Sequence, residues 1–169
     1  MRRAALVAAA LVACAATPPD ALPPNTLPPS NTSFLSTTNF TFSPADRWSP
    51  RKIAGGATAQ LSKWGSALAV VSSAVTALAP PFPKRLGLVY GTGSSNGFLR
   101  VTVNGVVLGV VDTYNETTAY TSEYVVDLEP NVNKLPNQPL WVLVAEATGA
   151  WRSGSKDSYV EIVGLNVYY

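Results

Sequence analysis

The 169-residue sequence has no histidine, a single cysteine and a single methionine, and only 13% of its residues are charged. Without histidine there is no Ser-His-Asp or Cys-His nucleophile pair, no imidazole ligand for zinc, and no side chain that titrates unperturbed near neutrality. With Cys14 as the only thiol, no disulfide can form within the chain. Basic runs are missing too, and with them the electrostatic footprint that a phosphate backbone demands, so nucleic acid is not an expected partner. Apolar residues nevertheless make up 47% of the chain, an ordinary share for a protein with a buried core and unlike that of a charged disordered tail. The length fits one domain with appendages.

The appendages are N-terminal. Arg2 and Arg3 precede ten apolar residues, Ala4 to Ala13, the pattern of an export signal over residues 1–16 and too short to span a bilayer. Its removal leaves ten Lys+Arg against ten Asp+Glu, so the mature chain is neutral and an acidic membrane has no electrostatic hold on it. Leu11-Val-Ala-Cys14 resembles the bacterial lipobox, which would lipidate Cys14 and supply the one membrane attachment expected. Ordinary cleavage near Ala15 or Ala16 is the other reading. Asn31-Thr-Ser33, Asn39-Phe-Thr41 and Asn115-Glu-Thr117 are acceptor triplets for glycosylation in a eukaryotic secretory route. Each route ends outside the cytoplasm.

Residues 17–33 read as a Pro/Ser/Thr-rich linker. Three Pro-Pro pairs recur within TPPDALPPNTLPP, and because each proline fixes φ and removes a donor the stretch should extend as polyproline II over roughly 40 Å. A domain over residues 34–169 follows. Trp48 sits between Pro44 and Pro50 in a polar segment that reads as a loop.

From Leu61 to Leu78 two periods compete. Leu61, Trp64, Leu68, Val71, Val75 and Leu78 have the spacing of one helix face, but Gly65 and the β-branched run favour strands, and strands are the expectation here. Beyond Pro83 alternation is plain: Leu86–Tyr90, Phe98–Val103, Val106–Asp112, Glu123–Leu128, Leu140–Glu146 and Tyr159–Tyr169, with Asn104-Gly105 as a hairpin turn. Gly91-Thr-Gly-Ser-Ser-Asn-Gly97 suggests a phosphate loop but lacks the following Lys and helix, so it reads as a link between strands. Seven or eight strands and few helices imply an all-β, antiparallel β-sandwich.

Leu88-Val-Tyr-Gly-Thr-Gly-Ser-Ser-Asn-Gly97, Val101-Thr-Val-Asn-Gly105, Asp112-Thr-Tyr114, Val142–Gly149 and the closing Tyr159–Val167 together resemble the galactose-binding-like jelly roll. The resemblance covers Leu86 to Tyr169 well and Phe34 to Pro83 loosely. It implies a jelly roll related to the carbohydrate-binding accessory domains of secreted glycosidases and esterases. The chain departs from that pattern at the hairpin tip, where Asn104 replaces the common Asp, and at Pro139-Leu140, where a His is frequent.

A sugar presents an apolar C–H face to a flat aromatic ring and hydroxyls to neighbouring polar groups. Tyr114 with Asp112, Asn115 and Glu116, Trp151 with Arg152, and Tyr120 supply both. The candidate ligand-binding residues are therefore Tyr114, Trp151, Asp112, Asn115, Arg152 and Tyr120, while Trp48 and Trp64 read as packing at the ends of the core. Glu146 and Glu161 alternate with apolar residues on their strands and are expected to face solvent, and no two carboxylates form a catalytic pair. No enzyme activity and no cofactor are expected, although Asp112 and Glu116 with loop carbonyls could hold a structural calcium. Three functions stand: an exported non-catalytic module binding cell-wall or extracellular glycan, a structural or adhesion protein of a surface assembly, or an accessory domain of an esterase or glycosidase system that acts only beside a catalytic partner.

Overall fold

Short alternating segments bury one face each, so they must pair into sheets, and the sheets must then face one another. In a computed structural model of the protein, which describes residues 32–63, 65–72, 83–128 and 140–169, eleven strands do so. They are β1 (Thr32–Ser36), β2 (Thr41–Ser43), β3 (Trp48–Lys52), β4 (Thr58–Ser62), β5 (Ser66–Ser72), β6 (Arg85–Thr92), β7 (Phe98–Val103), β8 (Val106–Asp112), β9 (Ala119–Asp127), β10 (Val142–Thr148) and β11 (Glu161–Tyr168). The first sheet runs β3-β4-β11-β6-β9, with β1 also paired to β11; the second runs β2-β5-β10-β7-β8. Every strand pairing is antiparallel. Closing strand β11 holds the first sheet together, because β6 pairs along one edge while β4 takes Glu161 and Ile162 and β1 takes Gly164 to Tyr168 on the other.

The two inner faces share one core. Leu86 and Leu88, Leu99, Val101 and Val103, Leu143, and Ile162, Leu165 and Val167 are buried in it, with Ala67, Ala69, Ala145 and Ala147. Each fully buried leucine or isoleucine contributes about 1.5–3 kcal/mol of transfer free energy. Trp48 belongs to this core, its ring 4.9 Å from that of Phe42, which stacks on Phe40. The expectation of packing is met at Trp48, but the expectation of a loop is not: Trp48 opens β3. Trp64 lies outside the described residues, as do the export signal, Cys14 and the linker up to Asn31. β1 begins at Thr32, two residues inside the segment read as linker.

The competing periods resolve as strand wherever the structure describes them. On β5, Ala67, Ala69 and Val71 point inward and Leu68 is exposed, which is a period of two; a helix would have buried Leu68 with Val71. Strands outnumber the seven or eight expected because β1 and β3 form in Ser-, Thr- and Pro-rich sequence with little alternation, whereas β2 falls at the alternation of Thr38-Asn-Phe-Thr-Phe42.

Asn104 and Gly105 turn between β7 and β8 with φ of 49° and 80°, the left-handed pair of a type I′ hairpin. Asn104 does more than turn: its side-chain Oδ1 accepts the Val142 N–H at 2.8 Å, and its own N–H donates to the Val142 carbonyl at 2.9 Å. Asn104→Ala should therefore cost about 1–2 kcal/mol, from the left-handed backbone and the lost hydrogen bond. Asn104→Gly, which keeps the backbone, should cost less than Asn104→Ala in urea unfolding; equal losses would deny the turn its part.

Candidate functional site

Three loops meet at one end of the sandwich. The first, residues 93–97, leaves β6; the second, 113–118, links β8 to β9; the third, 149–159, links β10 to β11. Backbone pairing locks them. Gly93 donates to the Thr113 carbonyl and accepts from Asn115 N–H, Gly97 donates to the Tyr159 carbonyl, and Lys156 and Tyr159 donate to Ser94 and Ser95. Buried Thr113 closes its hydroxyl onto the Gly97 carbonyl at 2.7 Å, and buried Asn96 donates to the Gly91 carbonyl at 3.0 Å. The Ser155 hydroxyl sits 2.8 Å from the Asn96 carbonyl. Such satisfied polar networks hold a loop in one shape.

On this platform the sequence-predicted residues separate. Asp112, Tyr114 and Arg152 come together: Arg152 Nη1 lies 3.3 Å from Asp112 Oδ2, its guanidinium carbon 4.9 Å from the Tyr114 ring centroid, and Tyr114 N–H donates to Asp112 Oδ1 at 3.0 Å. The ion pair is solvent-exposed and worth about 0–1 kcal/mol, with about 0.5–1 kcal/mol more from the cation on the ring. These contacts orient Arg152 rather than stabilise the fold. Trp151, next in the chain, is 58% exposed, whereas Trp48 and Trp141 are buried. Asn115 folds its Oδ1 back to accept from Thr117 N–H and hydroxyl.

Tyr120 does not join them. It lies on β9, at the outer face of the first sheet, where its ring and the Glu161 carboxylate fill the space above Gly91. Arg51 reaches over this spot, with its guanidinium carbon 5.9 Å from the Tyr120 ring and its Nη1 2.6 Å from Glu161 Oε1. Glu161 is thus not solvent-facing as the alternation implied but 1% exposed, with the Arg51 side chain paired to it and the Tyr120 ring beside it over Gly91. Burial pushes its carboxyl upward, against the opposing pull of Arg51. The Tyr120 phenol is also raised, by burial and then by Glu161. Sequence reading missed Arg51, whose Pro-flanked surroundings gave no sign of a strand. Glu146 meets the expectation more closely, half-buried and paired at 3.1 Å with Arg100.

Among the described residues no group of three or more His, Cys, Asp or Glu converges as metal ligands; Asp112 is engaged by Arg152 instead. Gly93-Ser-Ser-Asn-Gly97 fits the Gly-x-Ser-x-Gly spacing of a nucleophile elbow, a match the sequence reading passed over. The elbow requires a strand-to-helix turn, whereas this segment joins β6 to β7 in a chain without histidine. It serves as a locked loop.

No family model and no curated protein matches the sequence. Solved structures do match the fold. A Paenibacillus xanthan lyase aligns over 86% of this chain and 14% of its own, with a TM-score of 0.57 and 11% identity; the chain thus spans only a small part of that protein. The CBM36-1 domain of a multidomain xylanase from the hindgut metagenome of Trinervitermes trinervoides aligns over 82% of this chain and 98% of its own, at 0.53 and 11%. The C-terminal CBM6 of LamC, a marine laminarinase from Zobellia galactanivorans, aligns over 82% and 100%, at 0.51 and 10%. The chain therefore has the two-sheet, galactose-binding-like fold of carbohydrate-binding modules. At these identities the likeness is one of fold, and a fold carries function only through its site.

Proposed function

We propose that the protein is an exported, non-catalytic carbohydrate-binding module that recognises cell-wall or extracellular glycan on the loop platform through Tyr114, Trp151, Asp112 and Arg152. The observation that carries the proposal is the exposed indole of Trp151 beside an Arg152 already oriented by Tyr114 and Asp112. An aromatic surface left in water at a rigid end, flanked by fixed donors and acceptors, suits the apolar face and hydroxyls of a pyranose. The matched modules from a xylanase and a laminarinase agree in fold with this reading. Export rests on the N-terminal signal, with Cys14 as the anchor if it is lipidated.

Affinity gel electrophoresis through xylan, laminarin and xanthan, alongside a glycan array, tests it. Retention by at least one polysaccharide is expected, and Trp151→Ala should weaken it at least about tenfold, near 1.4 kcal/mol, with an unchanged melting temperature. No retention anywhere, or retention indifferent to Trp151, removes the reading. The alternative of a surface assembly draws on the outer face of the second sheet, where Leu68, Val107, Val110 and Val142 are exposed; a monomer by light scattering at all concentrations would argue against it.

A further inference from the structure

We infer that Asn115 is an acceptor for an N-linked oligosaccharide when the chain passes through a eukaryotic secretory route, and that it is favoured over Asn39. Both stand in Asn-x-Thr triplets, but the fold treats them differently. Asn115, Glu116, Thr117 and Thr118 are all exposed in the loop between β8 and β9. The Asn115 side chain is held through its oxygen, which accepts from Thr117 N–H at 3.2 Å and from the Thr117 hydroxyl at 3.3 Å, so that attachment at Nδ2 of this exposed residue breaks neither bond. Asn39 is half-buried, its Nδ2 donates to the Ser36 carbonyl at 3.3 Å, the middle residue Phe40 is in the core, and Thr41 is paired with Val70 on β5. A sugar there would break the hydrogen bond and crowd the entry to β2. Asn31 lies outside the described residues.

In the transfer, the Asn115 amide nitrogen attacks the anomeric carbon of an oligosaccharide linked to a lipid diphosphate. A C–N bond forms, the C–O bond to the diphosphate breaks with its electron pair leaving on the diphosphate, and the amide proton passes to base. The donor and its membrane transferase belong to the secretory route. The resulting glycan would grow from the residue adjoining Tyr114, so Asn115 would carry sugar instead of contacting a ligand, and one rim of the platform would be occupied.

The full chain expressed in a eukaryotic secretory host tests this by peptide mass spectrometry before and after enzymatic removal of N-glycans. Occupancy at Asn115 above that at Asn39 is expected, and Asn115→Gln and Thr117→Val should each abolish it while the folded protein is still secreted. An unmodified Asn115 in secreted protein, or greater occupancy at Asn39, overturns the inference. This readout is a mass and not a binding event, so it stands or falls separately from retention by polysaccharide.

Discussion

Gly97→Ala should destabilise the domain by about 2–3 kcal/mol, a size expected when an added methyl meets backbone that cannot retreat. A β-carbon at Gly97 would collide with the Ala150 carbonyl oxygen and lie 2.9 Å from Ser158 Cα. Neither is the end of a flexible side chain. Relief would require the 93–97 and 149–159 loops to part, breaking the bonds from Gly97 to Tyr159 and from Phe98 to Ala150. Because Trp151 and Arg152 ride on the second of these loops, polysaccharide retention should fall with stability. Urea unfolding and affinity electrophoresis on one preparation check both; a variant as stable as the parent would mean that the loops are not locked as described.

The second large effect concerns Arg51. Breaking a buried ion pair typically costs about 3–5 kcal/mol, because an uncompensated charge is left behind, and half-exposure of Arg51 reduces this through solvent screening to about 2 kcal/mol. Arg51→Ala should lose that amount at neutral pH. The loss should depend on pH with a definite sign. The folded-state pKa of Glu161 is raised, so the native state holds this proton more tightly than the unfolded chain. The associated stability is fully present below the unfolded carboxylate value of about 4.3 and is lost as pH rises through the raised value. Removing Arg51 takes away the main influence lowering that value, which extends the window upward. The deficit of Arg51→Ala in thermal melts should therefore shrink toward pH 4, where Glu161 is protonated in both proteins. Glu161→Gln should stay within about 1 kcal/mol of the parent at pH 7 and abolish this dependence. A deficit of equal size from pH 4 to 8 contradicts the assignment.

How much was legible in the sequence varies along the chain. The strands from β6 onward announced themselves because alternation of period two is a direct image of a sheet with one buried face, and Asn104-Gly105 marked its turn because few other pairs accept that backbone. Composition set Tyr114 beside Asp112 and, separately, Trp151 beside Arg152; that the two groups meet, with Arg152 on the Tyr114 ring, was not legible, because residues 40 positions apart are brought together only by the pairing of the loops. β1 and β3 were opaque: they are short, and Pro50 and the Ser/Thr residues around them conceal strands held by tertiary pairing rather than by propensity. The misreading of Glu161 shares that origin: it sits on the outer face of the first sheet, where alternation implies solvent, and it is covered by Arg51 from a strand that could not be foreseen. Tyr120 fell ahead of the strand expected to begin at Glu123, whereas β9 begins at Ala119. An outward position on a strand is exposed only if nothing folds across it.

Binding at the loop platform is most directly tested by titrating the isotope-labelled protein with xylo- and laminari-oligosaccharides and following backbone amide resonances. Shifts should concentrate in Gly93–Gly97, Asp112–Thr117 and Ala150–Lys156, with the Trp151 indole N–H among the strongest. Shifts confined to Arg51, Tyr120, Glu161 and their sheet neighbours, or no shifts with any sugar, would contradict the account.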